Sequence, residues 1–390
     1  MLIFDREIEK TVEKIKGTFP SITITGPRQS GKTTLAKKLF PDLHYFSFEN
    51  PDIRRIVKED PRSFLNQIKN GAILDEIQNA PELLSYLQEL IDQNNEKPTF
   101  IITGSNQFSL ISDITQTLAG RTAMLKLLPL SLNELEKYNT HNDLDEVLFR
   151  GFYPAIHSKG FDAYITYRSY YETYIERDLR RIINLKDIDK FQRFIRLCAG
   201  RIGELLNMSN LANETGVSVT TINNWISVLQ ASYIIFLLQP FYENINKRLV
   251  KTPKLYFYDT GLASYLLGIE NSHLMNREPR RAALFENLIV SECLKTRYNE
   301  GKDSNLFFFR DKTGNEVDLI IRHGSSLKLV EIKSSMTFHS DFLRSLKYVS
   351  NLFPNKEINQ YLIYSGNIEQ EIHQAQVINY NNLRSKVFSA

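Results

Sequence analysis

The sequence predicts an α/β protein of three units: a parallel, three-layer sheet to about residue 155, a helical and winged-helix stretch over 156–270, and a second α/β unit over 271–390. Three observations carry this reading. Short apolar runs alternate with helical patterns up to about residue 155, which is the pattern of successive βαβ units. From about residue 160 to 232 the apolar spacing becomes helical, and from 306 onward short strands return around the turn Thr313-Gly314-Asn315.

The first strand is Ile22-Thr23-Ile24-Thr25, and it runs into Gly26-Pro27-Arg28-Gln29-Ser30-Gly31-Lys32-Thr33-Thr34 and then the helical Leu35-Ala36-Lys37-Lys38-Leu39. Strand, Gly-x-x-x-x-Gly-Lys-Thr loop and helix N-terminus together make a phosphate cradle. The two glycines permit backbone angles that turn N–H groups inward, and the helix dipole adds positive potential there. Lys32 is placed to reach the β/γ-phosphates and the Thr33 hydroxyl to meet Mg²⁺. ATP with Mg²⁺ is therefore the expected ligand.

A second short run, Ala72-Ile73-Leu74, follows the turn signal Asn70-Gly71 and delivers Asp75-Glu76. Ligands of open α/β sheets sit outside the carboxyl ends of strands, so both acids should face the phosphate loop. Asp75 then orients Mg²⁺ or its waters, and Glu76 polarises the attacking water. A third strand, Thr99 to Thr103, ends in Gly104-Ser105-Asn106. Ser105 or Asn106 could hold the lytic water or sense the γ-phosphate; a turn followed by a helix cap explains the same residues equally well. Arg121, in Leu118-Ala119-Gly120-Arg121, is the candidate for stabilising transition-state charge, from its own or a neighbouring subunit. The unit closes at the turn-rich Arg150-Gly151-Phe152-Tyr153-Pro154.

Composition bounds the rest. At 390 residues the chain is long enough for two or three cores. No apolar run approaches the ~18 residues of a membrane span, and acids occupy the N-terminus where a signal peptide would be basic, so a cytoplasmic protein without membrane contact is expected. Cys198 and Cys293 match no metal spacing and are expected as buried thiols. Net charge is +3 but uneven: residues 1–150 carry 18 basic and 21 acidic side chains, residues 151–270 carry 14 and 11, and residues 271–390 carry 16 and 13. Contact with DNA, if made, belongs to the C-terminal two-thirds.

In the middle unit, Tyr164, Tyr167, Tyr171 and Tyr174 form an aromatic stripe read as core packing. Residues Met208 to Ile226 read as helix, turn at Gly216, helix, with Ser209 and Ser218 as candidate N-caps and Ile222 and Trp225 facing the core. The exposed face, with Thr220, Thr221, Asn223, Asn224 and Ser227, has no Lys or Arg, which suits duplex DNA poorly. The following Lys247, Arg248, Lys251 and Lys254 cluster like a basic wing that would supply it. DNA binding, with salt-sensitive affinity, and a packing or assembly role both stay open.

The third unit places Glu286 on a helix, Asp318 in the strand Glu316 to Ile321, and Glu331 and Lys333 on one face of the strand Leu327 to Lys333. Three carboxylates converging with a lysine could bind Mg²⁺ near an attacked phosphate; salt-bridged strand ends are the alternative. Metal-dependent nicking abolished by Asp318→Ala is the outcome expected of a cleaving site.

These stretches resemble the prokaryotic AAA-type P-loop ATPases of the archaeal-ATPase-like kind, fused to a C-terminal domain of unknown function. The resemblance rests on Gly26 to Thr34, Leu74-Asp75-Glu76-Ile77-Gln78, Thr103-Gly104-Ser105, Leu118 to Arg121, Glu176-Arg177-Asp178-Leu179 and Tyr258-Asp259-Thr260-Gly261-Leu262. The tail from Glu286 to Lys333 is similar to the PD-(D/E)xK nuclease-like fold, with Val317 where that pattern has proline before the acid. The resemblance implies a Mg²⁺-dependent ATPase whose nucleotide state controls the C-terminal region. The competing reading is a slow-turnover switch that acts on a protein partner through an inactive nuclease-like tail. A small-molecule kinase fits the long C-terminal half least. A homo-oligomer is compatible with either of the first two.

Overall fold

The computed structural model describes residues 3–93, 99–105, 114, 116–138, 143–174, 187–242 and 250–388. Its N-terminal unit is built on five parallel strands: β1 (Ser21–Thr25), β2 (His44–Ser47), β3 (Gly71–Asp75), β4 (Thr99–Gly104) and β5 (Thr122–Lys126), in the order β2-β3-β4-β1-β5. Strand alternation explains the three layers. Ile73 and Ile101 join Ile22, Ile24, Leu35 and Ala36 on one face, while Ala72, Leu74, Phe100 and Ile102 join Phe48, Leu83 and Leu87 on the other. The order has a consequence for chemistry. β4 lies between β1 and β3, with Thr25 opposite Gly104 and Leu74 opposite Ile102, so the ends of all three strands meet at one edge.

The helices Met208–Thr215 and Val219–Ala231 form the predicted tight pair, with Gly216 at φ 67 ending the first. The first cap is Asn207, whose side chain accepts from the Asn210 amide, and not Ser209; Ser218 caps the second as expected. Trp225 packs its ring 5.2 Å from both Phe191 and Phe194. Tyr167, Tyr171 and Tyr174 are buried, and Tyr164 lies 5.3 Å from the ring of Tyr265, so the tyrosine stripe packs as core.

The hairpin that follows departs from the winged-helix expectation. Its strands β6 (Ile235–Pro240) and β7 (Lys254–Phe257) form one edge of an eight-stranded mixed sheet. The sheet is completed by β8 (Leu306–Arg310), β9 (Glu316–His323), β10 (Ser326–Lys333), β11 (Ile358–Tyr364), β12 (Gln370–Ile372) and β13 (Ala375–Asn379), in the order β12-β13-β11-β10-β9-β8-β6-β7. β6 pairs in parallel with β8 through Gln239–Phe307 and Pro240–Phe308. The reason is apolar: Ile235, Leu238, Leu255 and Phe257 are buried in one core that continues through Phe285, Leu288, Val330 and Val387. A hairpin with that much buried surface cannot stand free as a wing. Lys254 is accordingly 2 % exposed, and Lys247 and Arg248 lie outside the described residues.

The helix Arg281–Asn299 runs through this core and reaches the N-terminal unit at its far end. Cys198 and Cys293 are free and buried, and burial pushes both thiols well up, so neither is a ready nucleophile. Among the described residues no helix is long and apolar enough to cross a membrane.

Candidate functional site

The loop from Gly26 to Gly31 connects β1 to the helix Lys32–Leu39. Gly26 sits at φ 150, and a Cβ there would lie 2.1 Å from the Leu127 carbonyl oxygen, so only glycine lets β1 and the segment after β5 close on each other. Gly31 is left-handed at φ 97 and turns the chain into the helix. Lys32 is 4 % exposed and its Nζ donates to the Gly26 and Pro27 carbonyls at 3.1 and 2.8 Å. Burial pushes its pKa down, opposed by the fields of Glu76 and Asp75. A buried ammonium bonded only to loop carbonyls suits an incoming phosphate, which would replace neutral acceptors by a charged one. The Ser30 hydroxyl is also buried and without a partner.

Opposite the loop, three hydroxyls converge on Asp75. Thr33 Oγ1 lies 2.9 and 3.0 Å from its two carboxylate oxygens, Tyr45 donates to Oδ2 at 2.8 Å, and Thr103 donates to Oδ1 at close range. Burial and Asp75 together push the Tyr45 hydroxyl up to about 12, so it stays a donor. Because Thr33 spends its proton on Asp75, its oxygen lone pair is left for a cation. That donor set fits Mg²⁺ held beside a triphosphate.

Glu76 follows at φ 55, a left-handed conformation rare for a side-chain-bearing residue. Its amide donates to Thr103 Oγ1 at 3.3 Å, and its Oε2 accepts from Ser105 Oγ at 2.9 Å and from Gln78 Nε2 at close range. The structure therefore brings Lys32, Thr33, Asp75, Glu76 and Ser105 together. Asn106 lies outside the described residues, as do Glu176 to Leu179. Arg28 points away, with its Nη2 3.4 Å from Glu49 and its guanidinium 5.3 Å from the Tyr174 ring centre. Thr34 lines an apolar recess beside the loop with Phe4, Leu35, Leu130 and Pro154.

Arg121 sits at the amino end of β5, a strand of five residues, so ~17 Å separates it from the loop edge of its own sheet. It forms a two-pronged pair with Asp92 at 2.6 and 2.8 Å. Of the two roles expected for it, action on its own site does not agree with this position.

The C-terminal acids also come together, but not as metal ligands. Glu286 Oε1 accepts from Lys254 Nζ at 3.0 Å and from Tyr256 at 2.5 Å. Lys254 also pairs closely with Glu316, and Lys333 Nζ lies 2.5 Å from Glu331 Oε1 and 4.0 Å from Asp318 Oδ2. Burial works against the charge on Lys254, but Glu286, Asp318 and Glu316 outweigh it and hold its pKa above the ordinary value. Burial, then the neighbouring Asp318, raises Glu331 to about 8. Among the described residues no group of three or more acidic, His or Cys side chains is arranged to hold a metal ion. The expected set of Glu286, Asp318 and Glu331 is instead paired in this structure with the ammonium groups of Lys254 and Lys333.

Sequence reasoning missed several residues. Tyr45 and Gln78 carried no motif signal of their own, although Gln78 stood inside Leu74 to Gln78. Arg6 and Glu134 are farther from any motif. Arg6 donates to the Ser30 carbonyl at 2.9 Å and the Leu128 carbonyl at 2.7 Å, and pairs with Glu134 at 3.1 Å. Next to it, Glu7 accepts from Asn299 at 3.1 Å, and Lys295 donates to the Leu130 carbonyl at 2.8 Å. The phosphate loop is thus tied by buried polar groups to the long helix that carries Glu286. Tyr233, at the start of the C-terminal half, meets Thr25 Oγ1 at 2.8 Å. The stretch Tyr258 to Leu262, quoted for its resemblance alone, has a structural reason: Asp259 accepts from the Leu262 amide at 2.9 Å and the Phe152 amide at 2.7 Å, locking the 151–153 turn.

Three family models match the chain. The family described as an AAA domain matches residues 18–136, and two domains of unknown function, DUF8612 and DUF4143, match residues 141–273 and 281–383. An uncharacterized protein of Mycobacterium tuberculosis, Rv2008c, is 28% identical over 343 residues, covering 86% of this chain and 75% of that protein. One of Haemophilus influenzae is 24% identical over 346 residues, covering 79% and 81%. Among solved structures, the Walker-type ATPase PABY2304 of Pyrococcus abyssi superposes with a TM-score of 0.46 at 15% identity, covering 68% of this chain and 96% of that one. The Signal Transduction ATPase with Numerous Domains protein PH0952 of Pyrococcus horikoshii gives 0.27 at 15% identity, covering 76% and 50%. The AAA match lies over the five-stranded parallel sheet and its glycine-bounded loop, so the N-terminal unit has a P-loop ATPase-like core.

Proposed function

We propose that the protein hydrolyses ATP and that the nucleotide state is passed to its C-terminal half. One observation carries the first part: Lys32, Thr33, Asp75 and Glu76 meet at one sheet edge with the two acids already held by hydroxyl and amide donors. Mg²⁺, when bound, would supply positive charge against the phosphates. Thr33 and Asp75 would hold it, Lys32 would take the phosphate charge, the loop amides would cradle the oxygens, and Glu76 would accept the proton of the attacking water. If Arg121 contributes to turnover it does so in a second copy of the chain. Titration of the purified protein with a fluorescent ATP analogue and Mg²⁺ tests the reading. Saturable binding is expected, with Lys32→Ala weakening it at least ~100-fold, because a buried charged contact is worth about 3 kcal/mol. No response of the wild type to adenine or guanine triphosphates would end it.

The path to the C-terminal half is supported by Arg6, Glu7 and Lys295, which join the phosphate loop, the segment after β5 and the long helix. For that half we favour a non-cleaving, partner-binding role over nuclease action. Lys254 and Lys333 supply the cationic charge that the acids require, and with Lys254 buried the hairpin loses one of four cations proposed for DNA. Isothermal titration of the wild type with Mn²⁺ in the absence of nucleotide is expected to show no site attributable to this cluster. Supercoiled DNA should be nicked no faster by the wild type than by Asp318→Ala. Metal-dependent nicking lost in Asp318→Ala would reinstate the cleaving site.

A further inference from the structure

We infer that Gln78 is a catalytic residue of ATP hydrolysis: its amide nitrogen fixes Glu76, and its amide oxygen is the second acceptor for the attacking water. The inference rests on the ATPase reading above and adds to it a residue with two roles.

Two observations carry it. Among the described residues, both donors that reach the Glu76 carboxylate, Ser105 Oγ at 2.9 Å and Gln78 Nε2, bond to the same oxygen, Oε2. Glu76 Oε1 therefore remains available as an acceptor. The second observation is that Gln78 Oε1 is buried and has no hydrogen-bond partner. A buried amide oxygen left unpaired costs about 1–3 kcal/mol and is seldom kept without use. The amide cannot be turned around to relieve this, because its nitrogen must face a carboxylate. Glu76 is itself held at φ 55, and Gln78 follows in the short turn Ile77–Asn79, so the two side chains are fixed on one curl of backbone.

Two acceptors carried on one curl of backbone suit one ligand well. A water has two protons; donated to Glu76 Oε1 and Gln78 Oε1, they leave its lone pair directed at the γ-phosphorus. In the step, the water oxygen forms a bond to the γ-phosphorus and the bond from that phosphorus to the β,γ-bridging oxygen breaks. The electron pair leaves with ADP, and one water proton passes to Glu76. Gln78 takes no proton: it holds the second hydrogen so that the nucleophile does not rotate.

The test is trapping of ADP by aluminium fluoride, which reports on the in-line geometry without turnover. In the wild type, Mg²⁺, ADP and aluminium fluoride should bind far more tightly than Mg²⁺ and ADP alone. Gln78→Ala should keep ADP affinity within about threefold and its thermal midpoint near the wild type, yet lose most of the fluoride-dependent gain. Its kcat should fall on the order of 100-fold with KM little changed, the size seen when one oriented group is removed. Gln78→Glu replaces the amide donor by a second carboxylate beside Glu76. That removes one of the two donors to Glu76 Oε2, so fluoride trapping should be lost in this variant as well. Fluoride trapping and kcat near wild type in both variants would overturn the inference while leaving the ATPase reading intact. If Gln78→Ala loses ADP affinity or thermal stability in step with kcat, the residue is structural and the inference also fails. A wild type that binds no ADP would instead overturn the ATPase reading itself.

Discussion

Glu76→Gln is expected to release phosphate from ATP roughly 1,000-fold more slowly than the wild type while binding Mg²⁺ and ATP as tightly. The substitution keeps the length, shape and one oxygen of the side chain, so the hydrogen bonds of Asp75, Thr33 and Lys32 stay in place; Lys32 loses the field of Glu76, which the bound phosphates replace. What it removes is the proton acceptor. General-base assistance is worth about 10²–10⁴ in rate, and 1,000-fold corresponds to ~4 kcal/mol of barrier. The neighbours add to the effect. Ser105 and Gln78 both donate to Oε2, so the amide oxygen of the variant takes that place and its nitrogen, a donor with no acceptor capacity, is left to face the water. Steady-state phosphate release and fluorescent-nucleotide titration measure the two quantities. A variant within tenfold of the wild type would remove Glu76 from the role of base. A wild type already at background would instead leave a nucleotide-operated switch.

The part of this site that was legible in the sequence is the part that local chemistry dictates. Gly26, Gly31, Lys32 and Thr33 are fixed by the backbone angles and charge that a phosphate loop needs, and Asp75 and Glu76 by their place at a strand end. Arg121 shows the limit of that logic. Residue type and an adjacent strand suggested a contact with phosphate, but a parallel strand has two ends, and Arg121 lies just before β5 while Lys126 ends it. Strand order was equally hidden: nothing local says that β4 inserts between β1 and β3, and it is this insertion that brings Thr103 onto Asp75. The hairpin β6–β7 was misread as a wing because its apolar alternation looks the same whether it packs on two helices or joins a sheet 50 residues later. Lys254 followed the same error. In sequence it reads as one of four cations, and in the fold it is the buried counter-charge of Glu286 and Glu316.

Glu134→Ala should destabilise the N-terminal unit by about 3–5 kcal/mol, a drop of roughly 10 °C in the midpoint of its thermal transition, and weaken nucleotide binding as well. Glu134 is fully buried and accepts from Arg6 Nε at 3.1 Å, the Glu7 amide at 2.7 Å and the Ser131 amide at 2.9 Å, while Ser131 caps the helix Leu132–Glu136 in return. Its removal strands the Arg6 charge in a site where only carbonyl oxygens remain to receive it. Arg6 in turn holds Ser30, so the loss of its partner loosens the loop that must wrap the phosphates. Stability and binding can be separated by a second variant, Arg6→Met with Glu134→Leu. Replacing a buried ion pair by apolar side chains of similar volume removes the stranded charge, so this double variant should recover part of the lost midpoint, the Glu7 and Ser131 amides staying unpaired. It has nothing to offer the Ser30 carbonyl, and its ATP affinity should stay about tenfold below the wild type. Recovery of both together would mean that Arg6 supports the fold and leaves the loop to position itself.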